Sequence, residues 1–526
     1  MLSAIRLLKH IKLNLSMYNG SMKIKKLLKN KYFRLAIFAF TLYFTFVLRA
    51  HNYQTVPTAN HLDELNYSLS GINLVETGMP ISWSTLEYPK RAEVYKGEIN
   101  YLGGIPKASV TLYRPWLDQP PLFSSIVGYS AHYFHADRNA FVPTSYSRIP
   151  SVLIAGLTSV MVFLIALEIG GFWIGILSMF IYGSVPMFVF ASRSAMAENF
   201  IAFLFCLIFY LLLKFLQSSK TYLLYPIPIL AGLAGLSKAT GFFLLPFAAL
   251  LVGAYYFQQK KYRSIFVSTA FFILGITPFI VAFFAYGYLY DVEIFNRILS
   301  IQSNRPAGFG SLAWFFISPS FSTNIFKDSW FVFCLFSAVF FMFTSKLTNT
   351  LSDLSNRKNL LVAAFIFSVF IVMISGGEGD LLAWYRFTSY PFLAIIGALG
   401  LQYLFQKADF FASFITAGML LGNRMLLSNP FRDNVSPLEY RNIMFFLLLP
   451  SALYVVVKYN ILKKLSKLFI VLTILAGIYI NIIYVYNAFE LTCENLTCPI
   501  VPSTKLSEMH FPFFWRFMVL GKPDRY

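Results

Sequence analysis

Long apolar runs, interrupted by short polar breaks, recur along almost the whole 526-residue chain. Many of these runs approach about twenty residues, the length at which an α-helix crosses the ~30 Å of hydrocarbon in a bilayer. A membrane β-barrel would instead show short segments in which apolar and polar residues alternate. The pattern therefore predicts an all-α, polytopic integral membrane protein.

Hydropathy predicts thirteen transmembrane helices in this sequence. They lie at 33–49, 149–167, 172–191, 199–216, 223–237, 240–257, 265–289, 329–345, 360–375, 391–405, 410–422, 443–457 and 468–487. The helix at 410–422 is short, and the polar pair Ser237-Lys238 separates the fifth helix from the sixth.

The charged residues divide unevenly between the two sides that these helices define. If the chain starts in the cytoplasm, its inner segments hold 22 basic and three acidic residues, and its outer segments hold 21 basic and 20 acidic residues. The positive-inside rule predicts this bias, so the net charge of +20 reports topology. We expect a multi-pass protein of the inner (plasma) membrane with a cytoplasmic N-terminus. A nucleic-acid partner is not expected, because no basic soluble face is visible.

The predicted units are a basic amphipathic cytoplasmic segment, 1–32, a transmembrane domain, 33–487, and an outer tail, 488–526. Long outer loops at 50–148 and 290–328 interrupt the domain. The first loop holds eight of the 23 acidic residues and includes short amphipathic helical pieces such as 65–77. Because a long loop is more often functional than idle, we expect any chemistry to face outward.

Two adjacent acids, Asp63 and Glu64, follow the first predicted helix by about a dozen residues. A carboxylate held in a partly dry site near the bilayer suits a general base that takes a hydroxyl proton. Acids are also preferred in the first turn of any helix. On spacing alone, the helix-terminus interpretation is the stronger one.

A second motif consists of Asp118-Gln119 followed by Pro120-Pro121, with Arg148 at the mouth of the second predicted helix. A Pro-Pro pair fixes backbone φ and starts a helix rigidly. The alternative is that the prolines only separate surface helices and that Arg148 anchors the interface.

A third set consists of charged residues at outer helix ends, namely Arg193, Glu198, Lys238 and Arg386. Charges at such depth usually face a cavity or a partner. A basic side chain can also extend along the helix to reach the headgroups. All four lie on the same predicted side of the membrane, which favours a shared cavity.

The order of these short motifs resembles the bacterial and archaeal members of the protein mannosyltransferase-like family. The motifs, in one-letter code, are DE, QPPL, SRIPS, SR, E, LSKATG and WYR. Family members are glycosyltransferases of the GT-C architecture, and their relatives include the lipid A aminoarabinose transferases. The resemblance covers residues 33 to about 405 and rests on the order and shared outward placement of the motifs.

The resemblance implies roles for the acids. An acid of the first outer loop acts as base or positions the acceptor, and this role falls on Asp63, with Glu64 beside it. Glu198 corresponds to an acid at the start of the fourth helix and completes the catalytic set. Asp118 corresponds to the acid before the Pro-Pro pair. It is followed by Gln119, where the aminoarabinose transferases often carry a lysine that meets the lipid phosphate, so phosphate contact at this position is in doubt.

The resemblance also implies a substrate-binding set. Lys238 corresponds to the lysine of the turn between the fifth and sixth helices, and Tyr385 and Arg386 fall where a late outer loop closes over the donor. The complete predicted set is Asp118, Gln119, Arg148, Arg193, Lys238, Tyr385 and Arg386.

The implied function is an inverting glycosyltransferase that uses an undecaprenyl- or dolichyl-phosphate sugar as donor. The acceptor would be a hydroxyl group of a protein, lipid or glycan on the outer face. A phosphate leaving group needs no general acid but does need cations, which Lys238, Arg386, Arg193 or Arg148 would supply. The sequence has no Asp-x-Asp metal motif and no Rossmann-like unit for a nucleotide donor. We expect no required metal or cofactor.

Two other interpretations compete with this one. A transporter or lipid-linked sugar flippase would also place charges inside a helical bundle, but the sequence shows no inverted repeat or paired broken helices. An oligosaccharyltransferase catalytic subunit would carry a Trp-Trp-Asp signature and a large soluble C-terminal domain, and the sequence has neither.

Overall fold

A computed structural model describes residues 30–57, 62–102, 105–305, 328–344, 354–375, 383–421 and 436–487. Almost all of the predicted cytoplasmic segment, the outer tail and most of the 290–328 loop lie outside these residues. The described helices are α1 Lys31–Ala50, α2 Leu62–Thr77, α3 Pro121–Tyr133, α4 Thr144–Ser147, α5 Ile149–Gly170, α6 Phe172–Ser184, α7 Pro186–Arg193, α8 Ala197–Ser218, α9 Ile227–Ser237, α10 Leu244–Gln258, α11 Tyr262–Tyr290, α12 Val292–Ser303, α13 Ser329–Thr344, α14 Arg357–Ser375, α15 Tyr390–Lys407, α16 Phe410–Leu420, α17 Pro437–Val457 and α18 Asn460–Asn487.

Most of these helices are apolar and long. Among the described residues, nine helices are long and apolar enough to cross a membrane, a bent pair adds a tenth, and three more apolar helices are shorter. Each of the thirteen predicted apolar segments coincides with one of these helices or with the bent pair. The prediction of an all-α polytopic membrane protein is therefore confirmed.

The third predicted helix is broken. α6 and α7 meet at an angle of 66°. α7 begins at Pro186, which has no N–H to donate and so starts a helix more readily than it continues one. The carboxylate of Asp328 holds the break, because it accepts hydrogen bonds from the backbone N–H of Met187 at 2.8 Å and of Phe331 at 3.0 Å. The predicted continuous helix at 172–191 is corrected to this pair.

The first outer loop contains a small β-sheet that the sequence analysis missed. Strands β1 Ser82–Trp83, β2 Glu93–Leu102 and β3 Ile105–Tyr113 form an antiparallel sheet in the order β1-β3-β2. α2 and α3 lie in the same loop, so the short helices expected there are present. The prediction of helices alone was incomplete.

α2 and α3 pack at unusually close range through two glycines. A Cβ added to Gly71 would lie 2.0 Å from the carbonyl oxygen of Ser124, and one added to Gly128 would lie 2.2 Å from the backbone of Gly71. Only glycine permits this approach. The rings of Tyr67 and Phe123 pack edge to face nearby, at a centroid distance of 5.2 Å. This packing fixes the position of α2, whose first turn carries Asp63 and Glu64.

Helix ends that were predicted to share a side of the membrane lie together. Glu168, near the end of α5, lies 2.5 Å from Lys214 of α8 and 3.8 Å from Arg357, the first residue of α14. All three were predicted to be inner residues. The opposite ends of α5 and α8 carry Arg148 and Glu198, which were predicted to be outer residues.

Candidate active site

Asp63 is the second residue of α2 and remains partly accessible although protein surrounds it on most sides. Burial raises the pKa of its carboxyl group to about 7. The positive charge of Lys238 opposes this rise, whereas the negative charges of Glu198 and Asp118 add to it. A carboxylate poised near neutral pH suits a general base, since it is substantially ionised and still attracts a proton.

Lys238 lies in the turn between α9 and the 3₁₀ segment that precedes α10, and it is only 7% exposed. Its Nζ lies 2.5 Å from Oε1 of Glu198 and 4.2 Å from the centroid of the Tyr385 ring. A lysine that extended toward the headgroups would not make these contacts. Its ammonium therefore points into the protein, beside a carboxylate and an aromatic face.

Glu198 is the second residue of α8, where the helix dipole favours a negative charge. It is buried, with 3% exposure, and its Oε1 accepts from Lys238. Glu198 therefore lies next to Lys238 and near Asp63, in agreement with the predicted grouping of these residues. The role of Glu198 in catalysis stays a prediction.

Asp118 is held by hydroxyl groups of the outer loop. Ser84 donates to Oδ2 at 2.6 Å, and Tyr88 donates to Oδ1 at 2.7 Å. Burial raises the pKa of this carboxyl group to about 6, against the lowering effect of these hydrogen bonds. Gln119, the next residue, is half-buried. Both oxygens of Asp118 thus have donors, and the residue shapes the loop next to Asp63.

Arg305 is a residue of this site that the sequence analysis missed. It follows α12, and its Nη1 donates to the hydroxyl of Tyr385 at 3.2 Å. Its positive charge also lowers the pKa of Asp63 and of Asp118, which burial raises. Arginine in a polar loop without a motif gives no distinctive sequence signal, apart from its position in the long 290–328 loop.

Glu64 and Arg148, both predicted as site residues, form a buried ion pair. Arg148 donates from Nε to Oε1 of Glu64 at 2.8 Å and from Nη2 to Oε2 at 2.6 Å. It also donates to the carbonyls of Tyr53 and Pro57. Glu64 additionally accepts from the backbone N–H of Ala195 at 2.6 Å. These contacts give both residues a structural role; the catalytic role predicted for Glu64 and the substrate contact predicted for Arg148 stay predictions.

Arg193 likewise bonds to the protein backbone, and its predicted contact with substrate stays a prediction. Its three guanidinium nitrogens donate to the carbonyls of Leu48, Arg49 and Val56 at 2.9 to 3.0 Å. These include carbonyls at the end of α1 that lack partners within the helix. Arg49 itself is fully buried and donates to Ser159, Ser192 and the carbonyl of Tyr182. We call Arg49, Arg148 and Arg193 the arginine cluster.

The contacts of Arg386 differ from those of Lys238. It is 1% exposed, and its guanidinium carbon lies 5.9 Å from the centroid of the Phe331 ring. The neighbouring residue Tyr385 turns toward Lys238 and Arg305 instead. Arg305 is thus the cation that shares a contact residue with Lys238, and the predicted contact of Arg386 with the donor phosphate stays a prediction.

A second group of charged side chains consists of Asp63 and the charged residues around it. It consists of the carboxylates Asp63, Asp118 and Glu198 with the cations Lys238 and Arg305, and we call it the acid cluster. Three carboxylates meet two cations, and two of the carboxyl groups have raised pKa values. Within the described residues, no three His, Cys, Asp or Glu side chains are arranged to hold a metal ion. The prediction that no metal is required stays a prediction.

The family comparison matches part of the chain. Residues 118–288 match the sequence profile of the dolichyl-phosphate-mannose-protein mannosyltransferase family. The matched stretch includes Asp118, Arg148, Arg193, Glu198 and Lys238. The predicted resemblance is therefore confirmed over these residues, and with it the class of enzyme, a glycosyltransferase. A comparison with curated proteins finds no significant match.

Several solved structures are similar to this chain at low sequence identity. The aminoarabinose transferase ArnT from Cupriavidus metallidurans, bound to undecaprenyl phosphate, is 14% identical with a TM-score of 0.46, over 86% of this chain and 77% of that chain. The oligosaccharyltransferase AglB from Archaeoglobus fulgidus, with an inhibitory peptide and dolichol-phosphate, is 14% identical with a TM-score of 0.48, over 87% and 56%. The arabinosyltransferase EmbB from Mycobacterium smegmatis is 13% identical with a TM-score of 0.42, over 85% and 41%.

Proposed function

We propose that this protein transfers a sugar from a polyprenyl-phosphate carrier to a hydroxyl group of an acceptor at the outer face of the membrane. The observation that carries this proposal is the acid cluster, in which a partly accessible carboxyl group with a pKa of about 7 lies beside two cations. The family match over residues 118–288 supports the donor class.

Asp63 is the general base of this proposal. It accepts the proton of the acceptor hydroxyl while that oxygen forms a bond to the anomeric carbon of the sugar. The bond from that carbon to the phosphate oxygen breaks on the opposite side, which inverts the configuration. General-base catalysis of this kind contributes about 10²–10⁴-fold to the rate.

Lys238 and Arg305 are the cations that hold the leaving phosphate. Charge on the phosphate oxygens grows in the transition state, and cations in a water-poor site stabilise that growth more than they would in water. Lys238 has three N–H donors, and Glu198 engages one of them, so donors remain for a phosphate oxygen. Gln119 is neutral, which leaves this task to the two cations.

The outer location of the site follows from charge asymmetry. The helix ends near Asp63 were predicted to be outside because the opposite ends carry the excess of basic residues. Labelling a single cysteine at position 95 with an impermeant reagent, in intact cells, tests this orientation.

A transporter or lipid-linked sugar flippase is the competing function. Broken helices such as the bent pair of α6 and α7 also occur in transporters. The lack of broken helices in the predicted pattern therefore no longer argues against this function. A carboxyl group with a pKa of about 7 also suits proton-coupled transport, so the acid cluster alone does not separate the two functions. The match of residues 118–288 to a mannosyltransferase family favours the enzyme.

The test is the Asp63→Asn variant of the full chain in membranes, supplied with polyprenyl-phosphate-linked mannose and a cell-envelope extract as acceptor. The amide keeps the shape of the side chain but cannot take up the proton. We expect release of polyprenyl phosphate to fall by about 10²–10⁴-fold while binding of the donor is retained. Unchanged release would contradict the proposed function.

A further inference from the structure

Glu198 uses only one of its two carboxylate oxygens. Oε1 accepts from Lys238 at 2.5 Å, whereas Oε2 is buried and has no hydrogen-bond partner anywhere in the described part of the chain. The side chain is 4% exposed. Buried polar atoms are satisfied in the great majority of cases, so an exception calls for a physical reason.

A second lysine–glutamate pair provides the reference for this one. Glu168 and Lys214 also lie 2.5 Å apart, at the opposite end of the helices. There the second oxygen of the carboxylate accepts from the side-chain amide of Gln217 at 3.0 Å. A role as counterion of a lysine therefore explains Oε1 of Glu198 and leaves Oε2 unexplained.

The surroundings of Glu198 connect it to the proposed reaction. Its charge acts on Asp63, Tyr67 and Tyr385, all of which belong to or border the acid cluster. Asp63, on which the charge of Glu198 acts, is partly accessible. Since the sugar of the donor is bonded directly to the phosphate, a phosphate on Lys238 brings the sugar next to Glu198.

We propose that Oε2 of Glu198 accepts a hydrogen bond from a hydroxyl or amino group of the transferred sugar, which makes Glu198 a specificity-determining residue. The proposal rests on the function proposed above and adds the recognised group. A sugar without a free donor at this place leaves a buried carboxylate oxygen unpaired. Sites that hydrogen-bond a substrate hydroxyl reject the analogue that lacks it far more strongly than apolar pockets reject a missing methylene.

The acceptor hydroxyl is the other possible source of this hydrogen bond. Asp63 already serves that hydroxyl in the proposed mechanism, on the face of the sugar opposite the phosphate. Glu198 is bonded to Lys238, the proposed phosphate cation, and so belongs to the donor side. The sugar is therefore the group that Glu198 recognises.

The experiment compares two lipids on the purified full chain in nanodiscs. The probes are bare polyprenyl phosphate and polyprenyl-phosphate-linked mannose, and the readout is the dissociation constant of each. In Glu198→Met, which fills similar space without an acceptor, we expect affinity for the mannose-bearing lipid to fall by about 10- to 100-fold relative to bare lipid. The bare lipid should bind as tightly as before or more tightly, because Lys238 is released from Glu198.

Two further variants complete the design. Glu168→Met breaks the matched lysine pair on the inner side and should leave both dissociation constants unchanged. Glu198→Gln, which keeps the shape and one acceptor oxygen, serves if the methionine variant does not fold, with a smaller loss in the same direction.

The outcomes separate the two proposals. If the affinities for both lipids fell equally, Glu198 would be only the counterion of Lys238. If the ratio of the two dissociation constants stayed unchanged while the KM for acceptor rose, Glu198 would contact the acceptor instead of the sugar. Either result overturns the role in sugar recognition and leaves the proposed function in place. Failure of the wild-type chain to bind bare polyprenyl phosphate overturns both.

Discussion

Two groups of charged side chains lie near the helix ends that were predicted to face outward, and they differ in how completely the protein satisfies their hydrogen bonds. In the arginine cluster, Arg148 is matched by both oxygens of Glu64 and two carbonyls, and Arg193 by three carbonyls. In the acid cluster, three carboxylates share two cations, and an oxygen of Glu198 has no partner among the described residues.

The difference indicates which buried charges support the fold and which are available for chemistry. A buried charge whose hydrogen bonds are all made within the protein is held in place and has nothing left to offer a substrate. A carboxyl group whose pKa is raised by burial to near neutral pH can exchange a proton during a reaction. Burial alone does not distinguish the two cases.

Neighbouring residues of α2 illustrate the comparison most closely. Asp63 and Glu64 are consecutive, so their side chains leave the helix about 100° apart. One direction leads to Arg148 and the backbone N–H of Ala195, and the other leads to Lys238 and Glu198. The two acids therefore join different clusters although the sequence makes them equivalent.

The largest effect is expected from Arg148→Ala, which breaks the arginine cluster. Removing one partner of a buried ion pair leaves Glu64 uncompensated and costs about 3–5 kcal/mol of stability. The variant should give little monodisperse protein in detergent, and its thermal midpoint should fall. Arg91→Ala is the matched control, because Arg91 pairs with Asp291 and Glu293 at an exposed position. If the two variants gave the same yield and the same thermal midpoint, the structural role of Arg148 would be contradicted.

A smaller effect, on turnover, is expected from Lys238→Ala in the acid cluster. If Lys238 stabilises charge that builds on the leaving phosphate, kcat should fall by about 10²–10³-fold and KM should change less. Lys214→Ala, which breaks the pair with Glu168 at the opposite helix ends, is the control and should keep its kcat. A raised KM with unchanged kcat would mean that Lys238 only binds the donor.

Much of the fold follows from hydropathy. Each of the thirteen apolar segments is a helix or a helix pair, because in lipid the backbone must satisfy its own hydrogen bonds. The break before Pro186 depends on Asp328, which lies more than a hundred residues away and cannot be paired with it from sequence. The β2–β3 hairpin did have a signal, since Gly103-Gly104 separates two runs rich in β-branched and aromatic residues.

The candidate site was less predictable than the fold. Sequence grouped Asp63, Glu198 and Lys238, which lie near one another, but it could not show that Glu64 and Arg148 pair with each other instead. That distinction depends on partners distant in sequence, such as Glu64 and Arg148, which are 84 positions apart. Arg305 carries no motif and was found only through its contact with Tyr385.

The smallest predicted change concerns pH. Asp63 acts in its ionised form, so kcat/KM should rise with pH through about 7 and level off above it. Lys238 lowers the pKa of Asp63, so its loss raises that pKa further and should move the rise to higher pH in Lys238→Ala. A pH profile recorded on both proteins checks this. If kcat/KM instead rose at pH ~4, the ordinary range of a carboxyl group, the assignment of Asp63 as the base would be contradicted.

The most direct test of the comparison sets Asp63→Asn against Glu64→Gln, with thermal midpoint and turnover per folded molecule measured on each. The folded state binds the Asp63 proton more tightly than the unfolded state, so ionisation of Asp63 lowers stability as pH rises toward 7. Asp63→Asn should therefore keep or raise the midpoint at neutral pH while turnover falls by about 10²–10⁴-fold. Glu64→Gln should lower the midpoint and keep turnover, because Arg148 loses its charged partner. Normal stability with lost turnover in Glu64→Gln, together with an active Asp63→Asn, would contradict the account.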